Sequence, residues 1–365
     1  MDEKTWIRVI KTILRAGGYP FPINDNLMKL TKILLTEEEA KFLLIFKKPT
    51  LNFNQIKAKS DLSSESLEKM LNQLMDKGII VGVPSRETRI MVYHLNSYLP
   101  GIFEFTFMKG GVSEKEKNLA FIFEKLHDDL IELTQKNYEN TVEIYRKVPL
   151  MDRVVPVEKQ IEVKPESVLN FEEVSKLIDN FNDISVSNCY CRHHKDLLDQ
   201  HCKIDAPKLT CMHLGKFAVF TANHGFAKSI TKEEAMKILS EAEDAGLVHK
   251  AIHVGIDPEK EEVAICNCCK CCCDTLQMYY RGTIPLKSLT SYIAKVDGEL
   301  CTGCGTCVEK CPTESPELID NISVINENSC FGCGVCAHHC PEEAIKLERT
   351  GPRVVFVPPP KLKQY

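Results

Sequence analysis

The chain has 365 residues and a formal net charge of −5, a length that fits two or three domains and a charge that exerts no bulk pull toward nucleic acid or anionic lipid. No apolar run approaches the ~18 residues of a membrane span, and the opening MDEKTWIRVI lacks the charged-then-apolar pattern of a leader, so a cytoplasmic location is expected. All 18 cysteines fall between Cys189 and Cys340. A disulfide scaffold would spread them through a short chain, and long cysteine-free helical segments need no staples, so metal ligation explains them better.

In chain order, residues 1–100 read as a helical domain. TEEEAKFLLIFKKP opens with a Thr36 cap and acids in its first turn, and it stops before Pro49. NFNQIKAKS is a short second helix. SSESLEKMLNQLMDKG sets Leu67, Met70, Leu71, Leu74 and Met75 on one face and ends at Gly78. IIVGVPSRETRIMVYHL is two apolar runs around a polar turn. This order resembles the winged-helix fold. Its recognition helix would carry Glu65, Glu68 and Asp76 against Lys69 and Lys77, and residues 36–100 hold nine basic and eight acidic groups. Phosphate binding needs several cations aimed at one surface, so the balance argues against nucleic acid and for packing or partner docking.

Residues 101–165 are expected to hold a helix and an extended linker. SEKEKNLAFIFEKLHDDLIELTQK, 113–136, is an amphipathic helix whose stripe reads as core. The Val- and Pro-punctuated stretch 141–165 reads as short extended pieces crossing between domains. A Cys-rich α/β domain then covers 166–286. ESVLNFEEVSKLIDNF is a helix leading into DISVSNCYCRHH, a strand that delivers cysteines into a loop. TKEEAMKILSEAEDAGLVHKAIHV is a helix with a Thr231–Glu234 capping box and a Gly246 stop, followed by a strand. EEVAICNCCKCCC is a further strand ending in cysteines. Two strands that both end in cysteine loops suggest one shared site.

Near the C-terminus the spacing becomes specific. CTGCGTCVEKCP places Cys301, Cys304, Cys307 and Cys311 before Pro312, and CFGCGVCAHHCP places Cys330, Cys333, Cys336 and Cys340 before Pro341, 29 residues later. Three thiolates spaced two residues apart wrap a loop around three irons of one cube. Glycines 303, 305, 332 and 334 relax the backbone where that loop turns, and the prolines suit the first turn of a short helix after each fourth cysteine. Zinc sites use paired C-x2-C knuckles across a longer loop, a poorer fit.

These residues resemble the bacterial-type two-cluster 4Fe-4S ferredoxins over 287–350. The resemblance implies a ferredoxin-like βαββαβ unit with two 4Fe-4S clusters. Cys301, Cys304, Cys307 and Cys340 would hold one, and Cys330, Cys333, Cys336 and Cys311 the other. The sequence CPTESPEL departs from the pattern, with Pro316 where a helix would continue. Residues 351–365 form a Pro-rich tail.

Ten cysteines remain: Cys189, Cys191, Cys202 and Cys211, spaced C-x-C-x10-C-x8-C, and Cys266, Cys268, Cys269, Cys271, Cys272 and Cys273 in CNCCKCCC. Crowded thiolates raise one another's pKa unless a metal takes them, and vicinal cysteines pair badly as disulfides. One or two further 4Fe-4S or related clusters, or a zinc site, are the expected occupants, with two thiols left over. Four from the first set would complete one cube, and four from the second another. Arg192, Lys195 and Lys270 stand in sequence beside these cysteines and would offset cluster charge. Histidines 193, 194, 201, 213, 338 and 339 crowd the same loops; they read as polar surface, with His201 and His213 the best placed to ligate. NCYCRHH, ICNCCKCCC and CTGCGTC together also resemble a group of iron–sulfur proteins from anaerobes that join a CxCR loop, a CNCCxCCC loop and a terminal two-cluster ferredoxin unit. That resemblance implies an anaerobic setting and no particular substrate.

The expected fold class is α+β and multidomain. Three functions fit. The first is an electron-transfer protein passing single electrons through the clusters to a redox-protein partner or oxidoreductase complex, with the N-terminal domain docking that partner or a second copy as a homo-oligomer. The second is an oxidoreductase reducing a disulfide or sulfur substrate at Cys266–Cys273. The third is a redox-sensing regulator. No Walker loop, GxGxxG fingerprint or Ser/His/Asp signature supports other chemistry.

Overall fold

Side-chain caps open most helices of the N-terminal region. Asp2, Asn24, Thr36, Asn52 and Ser63 each accept a hydrogen bond from a backbone N–H of the turn they begin. Such caps satisfy donors that the helix leaves unpaired, at about 1 kcal/mol each. The computed structural model describes residues 1–85, 87–161, 173–253 and 262–363, and the chain divides into two units.

The first unit comprises 1–133, 187–200 and 219–228. Helices Glu3–Leu14, Asp25–Leu34 and Glu37–Leu43 precede strand β1, Thr50–Asn52. Helices Phe53–Lys57 and Ser64–Asp76 follow, then β2, Ile80–Pro84, and β3, Met91–Leu95. The strands form an antiparallel sheet in the order β1-β3-β2. Leu67, Met70, Leu71, Leu74 and Met75 are all buried, as their spacing demands. Strand β1 was not foreseen; three residues between two helices carry no alternation to read. Helix Ile102–Met108 lays Phe103 against Tyr190 and His194, with ring centroids 6.0 and 5.1 Å apart.

The second unit comprises 134–186, 201–218 and 229–365. Helix Tyr138–Lys147 occupies part of the stretch expected to be extended; Val142 and Tyr145, three residues apart, form its buried stripe. Extended chain begins only at β4, Asp152–Val155. Of the helix expected over 166–181, Val174–Asp179 is helical, and 166–172 lie outside the described residues. The remaining strands are β5, Ile184–Asn188; β6, Leu209–Leu214; β7, Lys228–Ser229; β8, Val248–His253; β9, Glu262–Cys268; β10, Leu286–Val296; β11, Pro316–Ile319; β12, Ile322–Ile325; and β13, Ile345–Val357. Eight make one sheet in the order β13-β10-β4-β8-β9-β6-β5-β7, and β11 pairs with β12.

Strand alternation divides the sheet's two faces. Val155, Met212, Leu214, Ala251 and Ile265 point to one face and pack on Val174, Leu177 and Ile178 of one helix and Ala235 and Leu239 of helix Lys232–Asp244. Each fully buried Leu or Ile there contributes roughly 1.5–3 kcal/mol. Their neighbours in the strands, Lys250, Cys266, Cys268 and Cys211, therefore point to the other face.

The C-terminal part runs β10, helix Thr306–Lys310, β11, β12, helix Val335–His338, β13. Strand β13 extends to Val357, into the stretch read as a tail, because Leu286 to Val296 of β10 pair antiparallel with Val357 to Ile345. The two short helices lie before the fourth cysteines rather than after them. Pro312 drives Cys311 to an extended ψ of 121°, which ends the first helix at Lys310. Pro316 accordingly interrupts no helix; it opens β11.

Candidate cysteine metal centres

The two C-terminal repeats build two cavities. One, of about 330 Å³, is lined by Cys301, Cys304, Cys307 and Cys340 with Leu318, Ser323 and Ile345. The other, of about 320 Å³, is lined by Cys311, Cys330, Cys333 and Cys336 with Ala294, Ile325 and Phe331. Each cavity thus takes three cysteines from one repeat and the fourth from the other. Gly305 and Gly334, the residues preceding the two short helices, share φ 79° and ψ −3°, so the repeats are related in backbone detail as well as in spacing.

The donor set suits a thiolate-held group. Backbone N–H groups of Ser323, Ser315 and Gly332 donate to the sulfurs of Cys301, Cys311 and Cys330 at 3.4–3.5 Å. A Cβ on Gly332 would collide with the Tyr292 carbonyl, and one on Gly303 with the Asn321 carbonyl, so only glycine lets these loops close around the cavities. Burial pushes the thiols of Cys330, Cys333 and Cys336 up, whereas hydrogen bonds from Thr306 pull exposed Cys304 down. Buried thiols of this kind ionise only when a cation takes the charge. The first cavity thus has a cysteine at the surface, and the second lies deeper.

The crowded stretch CNCCKCCC separates by local geometry into two groups. In β9, the period of two turns Cys266 and Cys268 to one face and Asn267 to the other. Asn267 there joins a buried network, 2.5 Å from His249 Nδ1 and donating to the Thr210 carbonyl at 2.6 Å; His249 Nε2 is 3.4 Å from Glu243. The strand ends at Cys268, residues 269–272 turn, and Cys273 precedes helix Asp274–Tyr280. Hydrogen bonds with Cys266 and Cys273, then burial, push the Cys268 thiol up, so these three form one group.

Cys269, Cys271 and Cys272 meet Cys202 instead, and the four sulfurs all lie within 4.8 Å of one another. Cys202 is 3.6 Å from Cys271 and 4.0 Å from Cys269, and Cys271 is 3.7 Å from Cys272. Hydrogen bonding to Cys269, aided by burial, pushes the Cys202 thiol up to about 12. Donors on Cys269 and Cys272 pull Cys271 down to about 3. Of the four cysteines spaced C-x-C-x10-C-x8-C, Cys202 is thus the one in this group. Cys189 and Cys191 belong to the first unit, where Cys189 precedes helix Tyr190–Leu197 and Cys191 lies within it rather than in a loop. Cys211 lies buried in β6.

Of the cations expected beside the thiols, Lys195 is paired with Glu124 at 3.1 Å and Lys270 with Glu314 at 2.8 Å, while Arg192 is buried. The sequence reading missed Lys250. Its ammonium is buried 3.0 Å from the Asp152 carboxylate and 5.5 Å from the centre of the Phe331 ring. Burial works against its charge, but Asp152, Cys268 and Cys273 outweigh it and raise its pKa. The available signal was a lysine inside the apolar strand VHKAIH.

The histidines expected at the surface are mostly structural. His193 and His194 are buried, with Nε2 atoms 2.8 Å from the Gly111 carbonyl and 3.1 Å from the Ala120 carbonyl. His338 and His339 meet Asp244 and the Glu243 carbonyl at 3.1 and 3.2 Å. His213 is buried beside Phe217, with centroids 5.2 Å apart, and burial pushes it down to about 3. His201 is exposed.

Residues 293–341 match the family model described as a 4Fe-4S dicluster domain. Over 37 residues the chain is 46% identical to a protein described as a probable ferredoxin from Methanosarcina thermophila, covering 10% of this chain and 64% of that protein. No solved structure matches the chain at a significant level. The C-terminal end of the chain therefore carries a ferredoxin-type 4Fe-4S domain, within an α+β protein. Among the described residues, no helix is long and apolar enough to cross a membrane.

Proposed function

We propose that this chain is an electron carrier that moves single electrons between its C-terminal ferredoxin-type domain and a redox-protein partner. In this reading Cys301, Cys304, Cys307 and Cys340 hold one 4Fe-4S cluster, and Cys330, Cys333, Cys336 and Cys311 the other. When bound, such clusters supply one-electron chemistry at potentials set by hydrogen bonds to sulfur and by exposure. The observation that carries the reading is the pair of near-equal cavities with their fourth cysteines exchanged between repeats. The winged-helix-like order of residues 36–95 supports a docking role for the N-terminal region.

Packing supports a route between the ferredoxin-type domain and the central cysteines. Phe331 and Cys333 of the deeper cavity share an apolar cluster with Cys268 and Cys273. The ferredoxin-type domain is thereby joined to the Cys266–Cys268–Cys273 group, which this reading assigns to a further cluster. The chain's own residues set that junction: Lys250 supplies fixed positive charge, and Phe331, Val154 and Val248 exclude water. The same juxtaposition favours a second reading, in which these thiols reduce a disulfide or sulfur substrate with electrons from the clusters.

Protein made and purified without oxygen should show broad visible absorption, acid-labile sulfide and at least about eight irons per chain. Reductive titration should give the EPR signals of two interacting cubes. Colourless protein without labile sulfide would refute the assignment. A signal that shifts on adding a disulfide would favour the second reading over the first.

A further inference from the structure

We propose that Cys202, Cys269, Cys271 and Cys272 hold a single metal ion in a closed tetrathiolate shell, a centre different in kind from the ferredoxin-type cavities. The sulfur separations carry this. Four sulfurs bound tetrahedrally at about 2.3 Å from one ion lie about 3.8 Å apart along each edge. The distances here are 3.6, 3.7 and 4.0 Å, and all four sulfurs fall within 4.8 Å of one another. A cube binds each thiolate to a different iron and puts an inorganic core between them, so its sulfurs stand several atoms further apart.

The surroundings agree with charge on these sulfurs. Backbone N–H groups of Ala206 and Ile204 donate to Cys202, and that of Lys203 donates to Cys271, so the loop after Cys202 wraps the group with donors. On the inner side Cys269 and Cys272, each 2% exposed, pack on Ala206, Ala242 and Leu247. Four protein ligands leave no open position for substrate, so the ion ties the 202–206 loop to the 269–272 turn instead of binding a reactant. Zinc and ferrous iron both accept this shell. The proposal is independent of the electron-carrier reading.

The test uses the full chain produced and purified without oxygen, with zinc, iron and acid-labile sulfide measured per chain for wild type, Cys202→Ser and Cys271→Ser. Each variant is expected to lose one metal atom while its sulfide content stays unchanged; whether zinc or iron disappears names the ion, and either supports the site. Loss of several irons with matching sulfide would mean a cube and overturn the proposal, as would unchanged metal. Should neither variant fold, wild type decides. Cubes contribute iron and sulfide equally, so a single ion gives one metal atom in excess of sulfide, whereas equality overturns it. Absence of sulfide altogether would refute the electron-carrier reading and leave this site standing on its own metal atom.

Discussion

The Lys250 ammonium lies 3.0 Å from the Asp152 carboxylate inside the sheet, on the face that carries Cys266 and Cys268. Breaking a buried pair by removing one partner typically costs about 3–5 kcal/mol, because the other charge stays uncompensated. Lys250→Met should therefore destabilise the second unit by that order in anaerobic urea titrations. Adding Asp152→Asn should recover part of the loss. A single variant within about 1 kcal/mol of wild type would mean that the pair carries no weight.

The exchange of fourth cysteines predicts which variants behave alike. Cys304→Ser and Cys340→Ser line one cavity and should disturb the same EPR signal; Cys330→Ser and Cys311→Ser should disturb the other. Should Cys340→Ser instead phenocopy Cys333→Ser, the clusters follow repeat boundaries and the exchange is wrong.

Gly332 and Gly351 separate two reasons for glycine. Both have positive φ, 60° and 80°, but only Gly332 would press a Cβ into a backbone carbonyl, whereas nothing lies within 4 Å of one at Gly351. Gly351→Ala should cost about 1–2 kcal/mol, the backbone term alone. Gly332→Ala should cost more and should lower iron content. Equal thermal shifts for the two variants would contradict the close approach.

Burial, followed by the nearby His127, pushes His194 from 6.5 down to about 3. The unfolded chain then binds a proton at this site between those values and the folded chain does not. Stability from this residue is present in full above about pH 6.5 and falls toward pH 3, with a slope of up to about 1.4 kcal/mol per pH unit. His194→Gln keeps a donor for the Ala120 carbonyl and removes the titration. Comparing the variant with wild type at pH 7.5 and 5.5 by urea unfolding should show a smaller pH dependence in the variant.

Local periodicities carried much of this structure into the sequence. The stripe Leu67–Met75, the Thr231–Glu234 box and the repeated C-x2-C-x2-C all report on residues close in the chain, where spacing is geometry. Failures arose where a long-range partner decided. Nothing adjacent to Cys202 says that it meets Cys271, 69 residues away. Lys250 went unremarked because its counterion, Asp152, is 98 residues distant. In 141–147, valine and a following proline suggested extended chain, but Val142 and Tyr145 had a core to bury against, which overrode propensity.

Strand β10 bonds to β13 on one edge and, through Leu289 beside Arg153, runs parallel to β4 on the other. The ferredoxin-type portion therefore cannot be lifted out as a cassette. Excising it would strip two strands from the host sheet and bare the β4 edge to solvent. Evolution could duplicate or discard a free-standing carrier at little cost, but this one is welded into its host and must be inherited, folded and lost together with it.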